Sequence, residues 1–183
     1  PKVILNYLSL LGWNPDSDQE IFNENDLVKS FQFQQVQKKS AVFDEKKLLW
    51  ISQQHLSEMN VRDLMNEIYA LSPGWGDGLE WDYLKEVVKL IKDRCKTIKE
   101  VATMSELFFT DKIDYDPDLL SKTFNNESIA IIKDFHTALN TVEDWSRVEL
   151  ENIFENIMEQ HEVVIGKVMK PIRVALTGIT FGP

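Results

Sequence analysis

The sequence predicts an all-α fold of eight to ten short helices, and three observations carry that prediction. Apolar residues recur with helical period along most of the chain. Polar N-capping residues stand at the head of several of the periodic runs. No pair of alternating runs is joined by a hairpin dipeptide such as Asn-Gly.

The elements follow in order. Val3, Ile4, Tyr7, Leu8 and Leu11 share one helical face, and Gly12 is expected at the C′ position, where it would turn left-handed into a turn over 13–18. Asn23 reads as an N-cap with Asp26 in the first turn, leading into Leu27, Val28 and Phe31. The glutamine-rich stretch 31–37 breaks the period. Asp44 then caps a run with Leu48, Leu49, Ser52 and Leu56, and Asn60 with Asp63 opens another with Leu64, Ile68 and Leu71. Three glycines and a proline within 72–78 cannot continue a helix and predict a loop. From 79 to 94 the set Leu79, Tyr83, Leu84, Val87, Val88 and Ile91 restores the helical period. Thr97 and Glu100 are spaced as a capping box for a helix reaching Leu107. Pro117 suits the first position of a helix, which makes 110–118 a boundary between subdomains. Helices are predicted at 117–124, 127–140 and 147–161, the last opened by Ser146 and Glu149 and bearing Ile153, Phe154, Ile157, Met158 and His161 on one face. A final segment runs over 166–178.

A chain of 183 residues, 43% hydrophobic and 27% charged, can bury an ordinary core in one or two units and lies far from the composition of disorder. No apolar stretch approaches the roughly 20 residues of a membrane span, and no signal-peptide pattern opens the chain, so the cytoplasm is the expected compartment. The single cysteine, Cys95, excludes an internal disulfide framework and reads as inert. The chain opens at Pro1 directly in a helical pattern, as a piece of a longer protein would.

No active site is legible. His55, His136 and His161 have no His or Cys at helical ligand spacing, so each reads as a satisfied histidine and no metal site is expected. Phosphate-cradling and nucleophile-elbow motifs are missing, and solvated carboxylate pairs such as Glu143 and Asp144 lack a reason for a raised pKa. Trp13, Trp50 and Trp81 lie beside helical apolar positions and read as packing residues, whereas Trp75, inside the glycine loop, is open to either role.

Charge is more informative. The chain carries a net −10, yet 85–99 holds Lys85, Lys89, Lys92, Arg94, Lys96 and Lys99 against Glu86 and Asp93, a local +4. If the helix continued to Lys96, Lys85, Lys89, Lys92 and Lys96 would form one ridge. A second basic group is Lys167, Lys170 and Arg173, and it follows the strongly acidic segment 143–162. Such segregation suits an RNA binder with a defined patch, while a solvated helix face is the plain structural alternative.

Six strings also resemble a known family: NYLSLLGW at 6–13, EIF at 20–22, AVFDEKKLLW at 41–50, RCKTIKE at 94–100, ELFFTD at 106–111 and KPIRVALTG at 170–178. In register over the whole chain, they resemble the C-terminal half of bacterial-type glutamyl-tRNA synthetases. The resemblance implies the end of the stem-contact domain at 1–60 and two helical anticodon-binding subdomains, 61–113 and 114–183, forming a helical cage. It also implies that the ATP- and Mg-dependent catalytic domain lies outside this chain, which by itself is expected to be inactive and to bind no cofactor. Glutamate tRNA and the rest of the parent chain are the expected partners, with a monomer as the expected state and no membrane association. Arg94 matches an arginine that reads the third anticodon base, and Arg173 matches a second anticodon contact. Lys92, Lys96, Lys99 and Lys170 are expected at phosphates. The neighbourhood 55–58 lacks a basic residue that many relatives carry, so a tRNA stem contact is expected to be missing there. Because the family pattern continues past Pro183, the anticodon cage is expected to be incomplete. A helical interaction module docking a protein through the acidic segment 143–162 is the rival reading.

Overall fold

The computed structural model, which describes residues 1–15, 17–38, 40–110 and 112–182, contains ten α-helices joined by turns and by longer loops that include short 3-10 segments. The first six are α1 (Lys2–Gly12), α2 (Glu24–Ser30), α3 (Glu45–Glu58), α4 (Val61–Leu71), α5 (Trp81–Ile91) and α6 (Ile98–Ser105). The last four are α7 (Pro117–Thr123), α8 (Asn126–Leu139), α9 (Arg147–Gln160) and α10 (Ile165–Thr177). They form two units, Pro1–Phe109 and Thr110–Gly182. Asp16 and Pro183, within the expected turn 13–18 and the expected domain 114–183, lie outside the described residues, as does Asp111 in the expected boundary 110–118.

Capping chemistry sets most helix starts. The side chains of Asn23, Asp44, Asn60, Thr97, Asp116, Asn125 and Ser146 each accept a backbone N–H of the following turn. Pro117 occupies the first turn of α7, where its missing N–H costs nothing. The capping box at α6 is only half formed, because the Glu100 carboxylate accepts from the Lys96 N–H at 2.7 Å and so reaches one residue beyond Thr97. Gly12 also departs from expectation. It is the last helical residue rather than a left-handed cap, and the chain leaves in extended form at Trp13 (φ −122°, ψ 139°). That exit buries the Trp13 ring against Phe22 and Leu27 and pairs Trp13 with Val36 in an isolated antiparallel bridge. The Trp13 indole donates to the Gln35 side chain at 2.9 Å.

In the first unit, α4, α5 and α6 pack on one another around Leu64, Ile68, Leu84, Val88, Ile91 and Val101. α3 joins this core to α1: it packs on α1 and contributes Leu56. A buried polar hub fixes the junction, where Asn6 donates to the Glu20 carbonyl (2.9 Å) and accepts from the Phe22 N–H (3.0 Å) and from His55 (2.9 Å). The accepting amide oxygen requires the His55 Nε2 to carry the proton. In the second unit, α8, α9 and α10 enclose Ile131, Ile153, Ile157, Val168 and Ile172, and α7 packs on α10. α10 contains Pro171, which forgoes one backbone hydrogen bond, and the burial of Val168, Pro171, Ile172 and Val174 offsets that cost.

The tryptophans correct the sequence reading. Trp13 is buried as expected, but Trp50 and Trp81 are 40% and 42% exposed. Trp81 is the first residue of α5, and its ring stacks on Tyr69 with a centroid separation of 6.2 Å. Trp75 is buried, because its loop folds inward: the indole donates to the Ser105 hydroxyl at 2.7 Å and packs edge-on against Tyr69 and Phe109. Gly76 has a positive φ (71°), and a Cβ there would lie 2.7 Å from the buried Leu84 side chain, so this turn requires glycine.

Candidate nucleic-acid interface

The basic stretch 85–99 does not form a single ridge. α5 ends at Ile91, Lys92–Arg94 make a tight 3-10 turn, and Cys95 is extended, which rotates Lys96 away from the line of Lys85 and Lys89. The break has a packing cause. Ile91 and Cys95 are both fully buried four residues apart, and the chain must tighten between them to bring α6 back onto α4 and α5. The Cys95 thiol is pushed up to about 11 by burial, with the Glu100 charge adding to the shift, so it is no nucleophile near neutral pH.

The turn is held from α3. The Gln53 amide donates to the Asp93 carbonyl at 3.0 Å, and the Ser52 hydroxyl donates to the Lys96 carbonyl at 2.6 Å. In return the Lys92 ammonium donates to the Ser57 and Met59 carbonyls at 2.6 and 3.1 Å, where the C-terminal end of α3 carries partial negative charge. Arg94 lies between the anchored Asp93 and Lys96, and Arg94, Lys96 and Lys99 are all exposed. Lys92 is thus turned toward its own fold, a duty its sequence position did not suggest. Lys89 pairs with Glu86 at 2.6 Å, and that hydrogen bond holds the Glu86 carboxyl below its ordinary pKa.

In the second unit, Lys170 and Arg173 sit one turn apart on α10. Lys170 is exposed, whereas Arg173 is half-buried, with one guanidinium nitrogen 3.4 Å from the Thr180 carbonyl and its Nε buried without a partner. Lys167 lies 3.7 Å from Glu127. The Arg173 end of α10 is closed by Gly178, which is left-handed (φ 72°) and packed so tightly that a Cβ would meet the Asp114 carbonyl oxygen at 2.6 Å.

The histidines are engaged. His161 lies 2.8 Å from Asp134, His136 is 3.4 Å from Asn140, and His55 belongs to the Asn6 hub. Among the described residues no group of three His, Cys, Asp or Glu side chains is placed to hold a metal ion, and no helix is long and apolar enough to cross a membrane. The sequence reading singled out Arg94, Lys96 and Lys99, which the structure brings together on one segment, but it missed Ser52 and Gln53. Their bonding partners are 44 and 40 residues away, so no local pattern could have marked them.

Comparison with known proteins gives this geometry a context. Residues 1–50 match the family described as tRNA synthetases class I (E and Q), catalytic domain. The glutamate–tRNA ligase of Flavobacterium johnsoniae is 32% identical over 183 residues, covering all of this chain and 36% of its own length. That of Thermodesulfovibrio yellowstonii is 30% identical, covering 98% of this chain and 40% of its own length. The chain therefore spans well under half the length of these curated relatives. A solved glutamate tRNA ligase from Elizabethkingia meningosepticum, in complex with its amino acid, shares the fold along the whole chain with a TM-score of 0.79 at 24% identity, over 36% of its own length. Residues 50–183 match the family described as anticodon binding domain, and the chain belongs to that family.

Proposed function

We propose that this chain is the tRNA-binding portion of a glutamate–tRNA ligase and that its first unit reads the anticodon through Arg94. In this reading 1–60 ends the stem-contact domain, 61–113 and 114–183 are the two anticodon-binding subdomains, and glutamate tRNA is the partner. ATP and Mg serve the catalytic part of the parent, which works as a cytoplasmic monomer. The observation that carries the proposal is the 92–97 turn, whose backbone is pinned on both sides of an exposed arginine.

The chemistry follows from the base edges. Cytosine presents a carbonyl oxygen and an unprotonated ring nitrogen on its pairing edge, and both accept hydrogen bonds from a guanidinium. Guanine presents one acceptor there, its carbonyl oxygen, beside two donors, so a guanidinium fork finds one partner instead of two and meets like donors at the rest of the edge. Lys96, Lys99 and Lys170 supply salt-dependent attraction to phosphates that carries no sequence information, and Arg173 adds a second anticodon contact.

The test is a fluorescence-anisotropy titration of the chain against glutamate tRNA and the same tRNA with its third anticodon base changed to guanine, at two salt concentrations. Tighter, salt-sensitive binding of the unchanged tRNA is expected, and Arg94→Gln is expected to cost roughly 1–3 kcal/mol of that preference. Equal affinity for both tRNAs in the wild type rejects anticodon reading by this chain. No binding at low salt favours the acidic docking module, whose segment carries the exposed Trp145 and Val148.

A further inference from the structure

We infer that Ser52, Gln53 and Lys92 are positioning residues that set the base selectivity of Arg94, and that Lys92 serves this role instead of a phosphate contact. The inference rests on the anticodon-reading role proposed for Arg94. Its basis is the four hydrogen bonds between the second half of α3, with the Met59 that follows it, and the turn: Gln53 to Asp93, Ser52 to Lys96, and Lys92 to Ser57 and Met59. They bracket Arg94 closely, one at the residue before it and one two residues after it. The fully buried Ile91 and Cys95 side chains pin the same segment from beneath.

Why selectivity, rather than affinity, should depend on this bracket follows from tolerance. A lysine attracts phosphate over several ångströms as a point charge, so a looser backbone costs it little. A guanidinium paired to a base edge must be held within about 0.5 Å, because its donors have a fixed fork. Loss of the bracket therefore lets Arg94 find the wrong base or a phosphate about as well as the right edge. Lys92 fits the bracket and not the phosphate set, because two of its three donors are already spent on carbonyls at a helix end that favours a cation.

The experiment compares wild type, Ser52→Ala with Gln53→Leu, Lys92→Met, the rescue variant Ser52→Thr, and Arg94→Gln. Three quantities are read: the affinity ratio for the cytosine and guanine tRNAs, the salt slope, and amide exchange at 93–97 with α5 and α6 as folding controls. The Ser52–Gln53 double variant is expected to lower the ratio by about fivefold or more, approaching Arg94→Gln, with an unchanged salt slope. Exchange at 93–97 should accelerate about tenfold while α5 and α6 stay protected. Ser52→Thr, which keeps the hydroxyl, should keep the ratio.

Lys92→Met separates the two roles of that residue. Positioning predicts a lowered ratio with the slope intact, and a phosphate contact predicts a slope reduced by about one with the ratio intact. The second pattern overturns the inference, as does a double variant that keeps the wild-type ratio or the wild-type exchange at 93–97. Failure of the underlying reading looks different: the wild type itself then binds both tRNAs equally and Arg94→Gln changes nothing, which removes the positioning role even where exchange accelerates.

Discussion

Asn6→Ala should be among the most damaging single polar substitutions in the first unit, and its cost can be worked from the hub it removes. The Asn6 side chain is 1% exposed and makes three hydrogen bonds at 2.9–3.0 Å. Alanine leaves the Phe22 N–H stranded in a buried site, at about 1–3 kcal/mol for an unsatisfied donor. It also strips the Glu20 carbonyl of its donor, adding about 1 kcal/mol, whereas the half-buried His55 ring can turn toward water and loses little. The sum is about 2–4 kcal/mol, a large share of the 5–15 kcal/mol by which domains are stable. Urea titration followed by tryptophan emission suits the measurement, because Trp13 packs on Phe22 at 5.6 Å and reports directly on the strained segment. His55→Ala should cost distinctly less, since the Asn6 oxygen still accepts from Phe22. A loss below about 1 kcal/mol for Asn6→Ala, or equal losses for the two variants, would refute the reasoning that buried satisfaction governs this junction.

The remaining predictions concern single groups. Gly178→Ala should destabilise the second unit by about 2 kcal/mol or more through left-handed strain and the clash with the Asp114 carbonyl, measured as a lower urea midpoint; an unchanged midpoint sinks the argument. Burial, the dominant cause, lowers the pKa of His55, as does the charge of Lys2, with Glu58 opposing them. Because the native state then binds fewer protons than the unfolded one, the His55 contribution is complete above about 6.5 and lost as pH falls through the lower folded pKa. The stability difference between pH 7.5 and 5.5 should therefore shrink in His55→Gln, and an equal difference in both proteins refutes it. Cys95, fully buried with its thiol pushed up to about 11, should resist thiol reagents at pH 8 in the folded protein and react promptly in urea; rapid labelling of the native state would contradict this.

What the sequence made legible was local. N-caps at Asn23, Asp44, Asn60, Thr97 and Ser146 could be read because the side chain and the N–H that it satisfies lie within three residues of each other. The departures came where distant packing overrides local preference. Gly12 could have turned left-handed, but burying Trp13 on Phe22 demands an extended exit. The glycines around Trp75 left the place of its ring open, and Ser105, thirty residues on, supplies the partner that draws it inside. The site divides the same way. Its charges were visible as a count, and so was the extended-helix condition on which the ridge of lysines depended. The anchors Ser52 and Gln53 sit in a helix read only for its apolar period, and their role exists only once that helix lies against the turn.

A net charge of −10 need not oppose binding to a polyanion, because charge acts over a limited range. At physiological salt the screening length is about 8 Å, so a phosphate near Arg94 feels Lys96, Lys99, Asp93 and Glu100 far more than acids elsewhere in the chain. Lys89, paired with Glu86, and Lys167, beside Glu127, contribute little, since their fields are largely cancelled at short range. Arg94 ends the Lys92–Arg94 turn, Lys96 follows this turn and Lys99 stands in the helix after it, and the backbone of the segment is anchored through the neutral side chains of Ser52 and Gln53. Anchoring the backbone of a cationic segment through neutral side chains such as Ser52 and Gln53 spends none of its positive charge, whereas side-chain salt bridges reaching over from α3 would have done so.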